Sequence, residues 1–513
     1  MLAQTFAEVL ARHADRTALS DPDHVLTYRE LEQASTQVAK DLADRLPAAP
    51  ASPETGSDTA PDTRLRAGIL AANRAGYVIW YLALLRCGVV PFLLDAALGP
   101  AEVAAVAEDC ALDLLIHDQR DLGALAPATD AAVLGESFGL RALALQPAGR
   151  RHTLRADTEV CRFTSGSTGR PNCIEFSGRA VSRAAANWAA GSGLAAPDRI
   201  ACFAALSNGL AFNTSLLAAF QQGAGLHLTR GLPTAGHVLR MLERTEATWL
   251  VGFPALYESV VRRSAGGAVF DRVRTAISSA APLRPETRLA FTELTGVSIS
   301  NYYGVAEAGP LTFTPDPGPE GGLGVPLPGV LLRAGAGPGD SAGITVRSES
   351  MGSGYLNAPG VFEARIGADG FYRTGDEGYL HERELFLTGR TDRMINFGGR
   401  KIDPVEVGNV LRKLAGVRDV AVFEVPDRHG EPAVAAAVVA EAGAGVDPAA
   451  LRAHCEGALA PYKVPGFFRL VDEIPANSVG KPALQQLRAL IAPTPEPAGG
   501  PAAPPVTTGS AAG

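Results

Sequence analysis

The sequence predicts an α/β protein: a large N-terminal domain of helix-covered sheets, followed by a small α+β domain. Three observations carry this expectation. The helical run YVIWYLALLRC stops at Gly88 and passes directly into the strand-like VVPFLLD of residues 89 to 95, a helix-to-strand unit. Two further apolar runs, ATWLVGF at 247 to 253 and VRTAISS at 273 to 279, each follow a helical pattern, which implies a parallel or mixed sheet under helices. After about residue 392 the pattern changes to helix PVEVGNVLRKLAG, strands DVAVFEV and AVAAAVVA, helix DPAALRAHCEGALA and strand FFRLVDEI, a compact set of about 100 residues.

Taken in order, MLAQTFAEVLARHADR carries Glu8, Arg12, Asp15 and Arg16 and reads as an amphipathic helix, not a signal peptide. Residues 46 to 66, LPAAPASPETGSDTAPDTRLR, lack periodicity and read as a solvated loop insertion. The segment Tyr77 to Leu85 is the most apolar, but Arg86 and Gly88 cut it well short of the roughly 18 residues a membrane span needs, so a buried helix is expected. The expected division is 1–391 for the large domain, 392–492 for the small one and 493–513 for a tail too poor in apolar residues to offset its ordering entropy.

Composition sets the outer bounds. The 513 residues carry 46 Lys plus Arg against 54 Asp plus Glu, a net charge of −8 without a basic block, which argues against nucleic acid as a partner. Six scattered cysteines form no C-x-x-C pair, so a zinc ribbon, a redox motif and a disulfide framework are not expected, and a reducing cytoplasm fits.

The run Thr164-Ser165-Gly166-Ser167-Thr168-Gly169 offers hydroxyl donors, glycines that let backbone approach closely, and successive N–H groups that can form an anion nest. A polyphosphate suits it, although a solvated Ser/Gly linker has the same composition. Other phosphate and hydrolase motifs fail: Gly480-Lys481 has Pro475 five residues before Gly480 and Pro482 after Lys481, and no G-x-G-x-x-G or H-E-x-x-H is present.

The loop is followed in order by NYYGVAEAG (301 to 309), YRTGDEG (372 to 378), GRTDRMINFGGRKIDP (389 to 404) and PANSVGKPAL (475 to 484). Together these resemble the adenylate-forming superfamily, which includes acyl- and aryl-CoA synthetases, nonribosomal peptide synthetase adenylation domains and firefly luciferase. The similarity extends from TALSDPDHVLTYREL to the PANSVGKPAL segment. It implies a large N-terminal domain and a mobile C-terminal lid, with the hinge at Asp392 in the GR-x-D pattern.

The resemblance also implies roles. Residues 164 to 169 would hold the β- and γ-phosphates of ATP, and Glu307 would ligate Mg²⁺, an ion that prefers hard oxygen. Asp376 would accept hydrogen bonds from the ribose, Arg390 would steady the ribose and phosphate end, and Lys481 would bind the attacking carboxylate and the α-phosphate. Ala280 and Ala281, within SSAAPL, would border the adenine, with Tyr303 and Gly304 beside it. Asn208, Phe212, Asn213, Gly252, Phe253 and Tyr302 would line the acid pocket.

The chain departs from its relatives at Asn172, Ala306 and Asn396, where lysine, threonine and lysine are usual, and at Asn208, where a histidine is frequent. SNGLAFNTSLL contains no acid to anchor an α-ammonium, so a small aryl or polar acyl acid is the expected substrate. CoA, or the phosphopantetheine thiol of a separate carrier protein, is the expected acceptor. A non-thiol acceptor, a non-carboxylic acid, and nucleotide binding without catalysis stand as alternatives.

Overall fold

The computed structural model describes residues 2–47, 63–118, 122, 133–146, 150–164, 171–231, 233–264, 266–279, 283–317, 322–390, 395–397, 400–426, 432–459, 461–476 and 482–491. The chain divides into two compact units, with the break between Asp392 and Arg393.

In the large unit, a nine-stranded sheet runs in the order Val325–Pro326, Gly309–Thr314, Ile299–Val305, Thr275–Ser278, Trp249–Gly252, Arg199–Cys202, Gly225–Leu228, Thr17–Ser20, Val25–Thr27. Its centre, from Ile299–Val305 to Thr17–Ser20, is parallel and its edges are antiparallel. A second sheet of eight strands has the parallel core Thr158–Thr164, Val90–Leu94, Arg66–Leu70, Leu114–His117. A four-stranded antiparallel sheet, Val330–Arg333, Ala342–Ser348, Tyr372–His381, Glu384–Arg390, completes the unit.

The apolar run at 77 to 85 lies within the helix Ala75–Arg86, whose residues from Ala75 to Leu84 are all buried. A helix apolar on every side has no face to give to water, so it is packed on all sides. Gly88, at φ 69°, ends it and turns the chain into the strand Val90–Leu94, as the sequence reading expected.

The insertion read at 46–66 ends earlier than composition suggested. Arg66 opens the buried strand Arg66–Leu70, and its guanidinium donates to the carbonyls of Cys110 and His152. A charged residue that satisfies itself on backbone carbonyls looks like loop in a composition window. The 493–513 tail lies outside the described residues. All six cysteines are free, and among the described residues no helix is long and apolar enough to cross a membrane.

His227, on the strand Gly225–Leu228, is buried with Nδ1 2.6 Å from Ser20 Oγ. Burial, and then the charges of Arg199 and Arg244, lower its pKa from the usual 6.5 to about 4. Between those values the unfolded chain binds a proton that the folded one refuses, so stability is full above pH 6.5 and falls as pH drops toward 4. The shift corresponds to about 3 kcal/mol at most. His227→Gln should therefore flatten the decline of Tm from pH 6.5 to 4.5 relative to wild type; parallel curves would disprove the assignment.

The small unit is α+β. A three-stranded sheet, Val417–Pro426, Pro432–Ala440 and Phe467–Leu470, carries the helices Pro404–Arg412, Pro448–Ala458 and Leu484–Ile491. Asp403 and Asp447 cap the first two helices by accepting from Val405 N–H and Ala450 N–H. Lys463 is paired with Glu406 at 2.6 Å, which fixes the turn before the last strand.

Candidate active site

Four neighbouring parallel strands of the nine-stranded sheet deliver the sequence-predicted residues at their carboxyl ends. Arg199–Cys202 leads to Asn208, Trp249–Gly252 to Phe253, Thr275–Ser278 to the SSAAPL segment, and Ile299–Val305 carries Tyr302, Tyr303 and Gly304 and leads to Glu307. In open α/β sheets this edge is where ligands bind, because the loops diverge there and leave a crevice.

Two carboxylates stand in this region, each held by a tyrosine. Tyr303 Oη donates to Asp376 Oδ2 at 2.7 Å, and Tyr355 Oη donates to Glu307 Oε1 at 2.7 Å. Tyr355 Oη is 3.4 Å from Tyr372 Oη, and Tyr372 opens the strand that also bears Asp376. Glu307, Tyr355, Tyr372, Asp376 and Tyr303 thus form a circuit closed through two strands. Burial, and then the charge of Glu307, raises both Tyr355 and Tyr372, the latter to about 12. Both phenols therefore remain protonated donors.

Asp376 is buried because the strand Tyr372–His381 alternates, with Tyr372, Thr374 and Asp376 on its inner face. The sequence alone would have left it on the surface. Glu307 is half-buried; only Oε1 is engaged by a described residue, and no three-ligand cluster includes it among the described residues. One carboxylate with an open oxygen suits Mg²⁺, which keeps several waters and takes its other ligands from substrate phosphates.

The phosphate-loop candidate connects the strands of an antiparallel hairpin, Thr158–Thr164 with Asn172–Ser177, whose register pairs Thr164 with Asn172. Asn357 clamps the base, donating to Pro171 O at 2.9 Å and accepting from Cys173 N–H at 2.8 Å. Gly352 N–H donates to Glu307 O at 2.7 Å. A Cβ on Gly352 would come within 2.5 Å of Ile174 Cγ2, so only glycine lets this segment run between the acid's backbone and the hairpin. Ser165, Gly166, Ser167, Thr168, Gly169, Ala280, Ala281, Asp392 and Lys481 lie outside the described residues, as does the Arg390 side chain; the Arg390 backbone pairs with Asp376.

The acid-pocket candidates divide. Phe212 and Asn213 are buried on a π-helical stretch, Leu210–Leu217, whose wide turn is closed by Ala218 N–H donating to Asn213 O. Such widened turns recur at functional sites. Tyr302 packs edge-to-face on Trp188, which also meets Trp249 and Phe313. Gly252, by contrast, packs on Leu256, at the start of the next helix.

The sequence reading missed Arg162. It is 4% exposed, two residues before Thr164, and its guanidinium lies 4.2 Å from the Phe176 ring centroid and 5.5 Å from that of Phe212. Nη2 donates to Ala306 O at 3.3 Å, beside Glu307. A sequence signal existed: in TEVCRFT the alternation that buries Thr158 and Val160 also turns Arg162 inward.

The tyrosine-held acids at the carboxyl edge of the parallel sheet agree with the comparisons. Residues 6–356 match the AMP-binding enzyme family, and residues 406–481 match the AMP-binding enzyme C-terminal domain. The chain belongs to the AMP-binding enzyme family and is an AMP-forming ligase. It is 32% identical, over 71% of its length and 70% of the relative's, to the 3-[(3aS,4S,7aS)-7a-methyl-1,5-dioxo-octahydro-1H-inden-4-yl]propanoyl:CoA ligase of Mycobacterium tuberculosis. It is also 32% identical to the sulfoacetate–CoA ligase of Cupriavidus necator, over 64% of this chain and 66% of that one. In fold it is similar to the o-succinylbenzoate coenzyme A synthetase of Bacillus subtilis in complex with AMP, with a TM-score of 0.76, 23% identity, and coverage of 94% of this chain and 98% of that one.

Proposed function

We propose that the protein uses ATP to convert a small acid, aryl or polar acyl, into its adenylate with release of pyrophosphate, and then passes the acyl group to a thiol. The observation that carries this reading is the tyrosine-held pair Glu307 and Asp376 at the carboxyl edge of the parallel sheet. Asp376 accepts from the ribose, and Glu307 would hold Mg²⁺, whose charge, when bound, offsets that of the phosphates. CoA is the acceptor that the relatives' names support; a carrier-protein thiol is the rival. The absence of an acid from SNGLAFNTSLL, and the burial of Phe212 and Asn213, support a substrate without an α-ammonium.

Pyrophosphate–ATP exchange across a panel of aryl, acyl and amino acids tests the first step, with CoA and carrier protein as alternative traps. Exchange should appear with some non-amino acids, and an exclusive response to α-amino acids would overturn the substrate reading. Asp376→Asn should raise the KM for ATP by about 10- to 100-fold, because an amide replaces an ionised acceptor and turns an N–H toward the diol or Tyr303. An unchanged KM for ATP would remove Asp376 from the ribose site.

A further inference from the structure

A guanidinium taken out of water normally finds a carboxylate, since an uncompensated buried charge is costly. Arg162 does not: it forms no ion pair with a described residue, its one hydrogen bond there is to the Ala306 carbonyl, and its Nε has no partner among the described residues. Aromatic faces on Phe176 and Phe212 stabilise the cation without neutralising it. Burial draws the group down to about 10, with the fields of Tyr302 and Glu307 opposing that shift, so it is a cation at neutral pH.

A second orphan donor lies beside it. Asn213 is 2% exposed and its Nδ2 has no partner among the described residues. Gly209 locates both: a Cβ placed there would sit 2.7 Å from Arg162 Nη1 and 3.8 Å from Asn213 Nδ2. A charged fork and an amide N–H thus border the same space, next to the backbone that leads to Glu307. A buried guanidinium that keeps an unpartnered Nε and meets no carboxylate, beside an amide whose Nδ2 is unpartnered among the described residues, suits an oxyanion.

We infer that Arg162 and Asn213 bind an anionic oxygen group, carboxylate or sulfonate, carried by the acid substrate. This rests on the adenylation reading and adds to it a residue pair that determines specificity. The group has two sources: the carboxylate that is to be activated, or a second anionic group on the same molecule. Gly209 is required because a Cβ there would press on Arg162 Nη1 and move the guanidinium.

The test is exchange and acid binding, by calorimetry, on the full chain, with monocarboxylic acids and dianionic acids of matched length. In Arg162→Met the KM for the preferred acid should rise about 30- to 300-fold, with a smaller change in kcat and little in the KM for ATP. Arg162→Lys keeps the charge but not the fork and should recover only part of the loss. Gly209→Ala, which retains the arginine but presses its Cβ on Nη1 and so shifts the guanidinium, should raise the same KM about 10-fold, and keeps the test open if Arg162→Met does not fold.

A loss confined to dianionic acids assigns the site to a second anionic group, whereas equal losses for mono- and dianionic acids assign it to the reacting carboxylate. A KM for acid that is indifferent to all three changes overturns the proposal. Lack of exchange with every acid in the wild type would instead sink the adenylation reading, and acid binding compared between wild type and Arg162→Met would still decide the site.

Discussion

Glu307→Gln is expected to lower pyrophosphate exchange by about 10²- to 10³-fold while leaving the fold intact. The amide oxygen can still accept from Tyr355 Oη, which holds the wild-type carboxylate at 2.7 Å, so the circuit through Tyr355 and Tyr372 need not collapse. What disappears is the charge. Raising Mg²⁺ should recover part of the rate if that charge holds the ion, and the Mg²⁺ concentration for half-maximal rate should move up at least tenfold. A rate loss with an unmoved Mg²⁺ dependence would mean that Glu307 acts only through Tyr355. Tyr355→Phe separates the two: it keeps the carboxylate and removes its anchor, so its deficit should be several-fold and less sensitive to Mg²⁺.

The second large effect is expected for Lys481→Ala, again a fall of about 10²- to 10³-fold in exchange. The reason is a shortage of charge. Asn172, opposite Thr164 in the hairpin register, supplies no cation. Arg162, two residues earlier, is buried between aromatic rings. We propose that Lys481 supplies the positive charge at the α-phosphate while pyrophosphate departs. The deficit should shrink sharply when preformed acyl-adenylate and CoA are supplied, since that route bypasses the step. An equal deficit in both assays would show that the lysine acts elsewhere, and full exchange activity would dismiss it.

The motif residues were legible because their spacing survives in a linear string. Occurring in order, TSGSTG, YG-x-x-E and TGD nominate, through the resemblance, a phosphate loop, an acid and a ribose acceptor. Helix-to-strand units were legible too, because a glycine in the left-handed region separates the long apolar run of Ala75–Arg86 from the short one of Val90–Leu94. Arg66 was misjudged for the opposite reason, since the carbonyls of Cys110 and His152 that satisfy it lie far along the chain.

By itself, the sequence determined the α/β class and the small C-terminal domain, and it nominated Glu307 and Asp376 as the site acids. The tertiary structure alone decided that Asp376 is buried beneath Tyr303, that Tyr355 holds Glu307, and that Arg162 Nε and Asn213 Nδ2, in side chains that meet at Gly209, have no acceptor among the described residues. The reason is physical. Periodicity and motif spacing are properties of neighbours in the chain, whereas the charge state and the unmet hydrogen bonds of a side chain depend on what packs against it from strands dozens to hundreds of residues away.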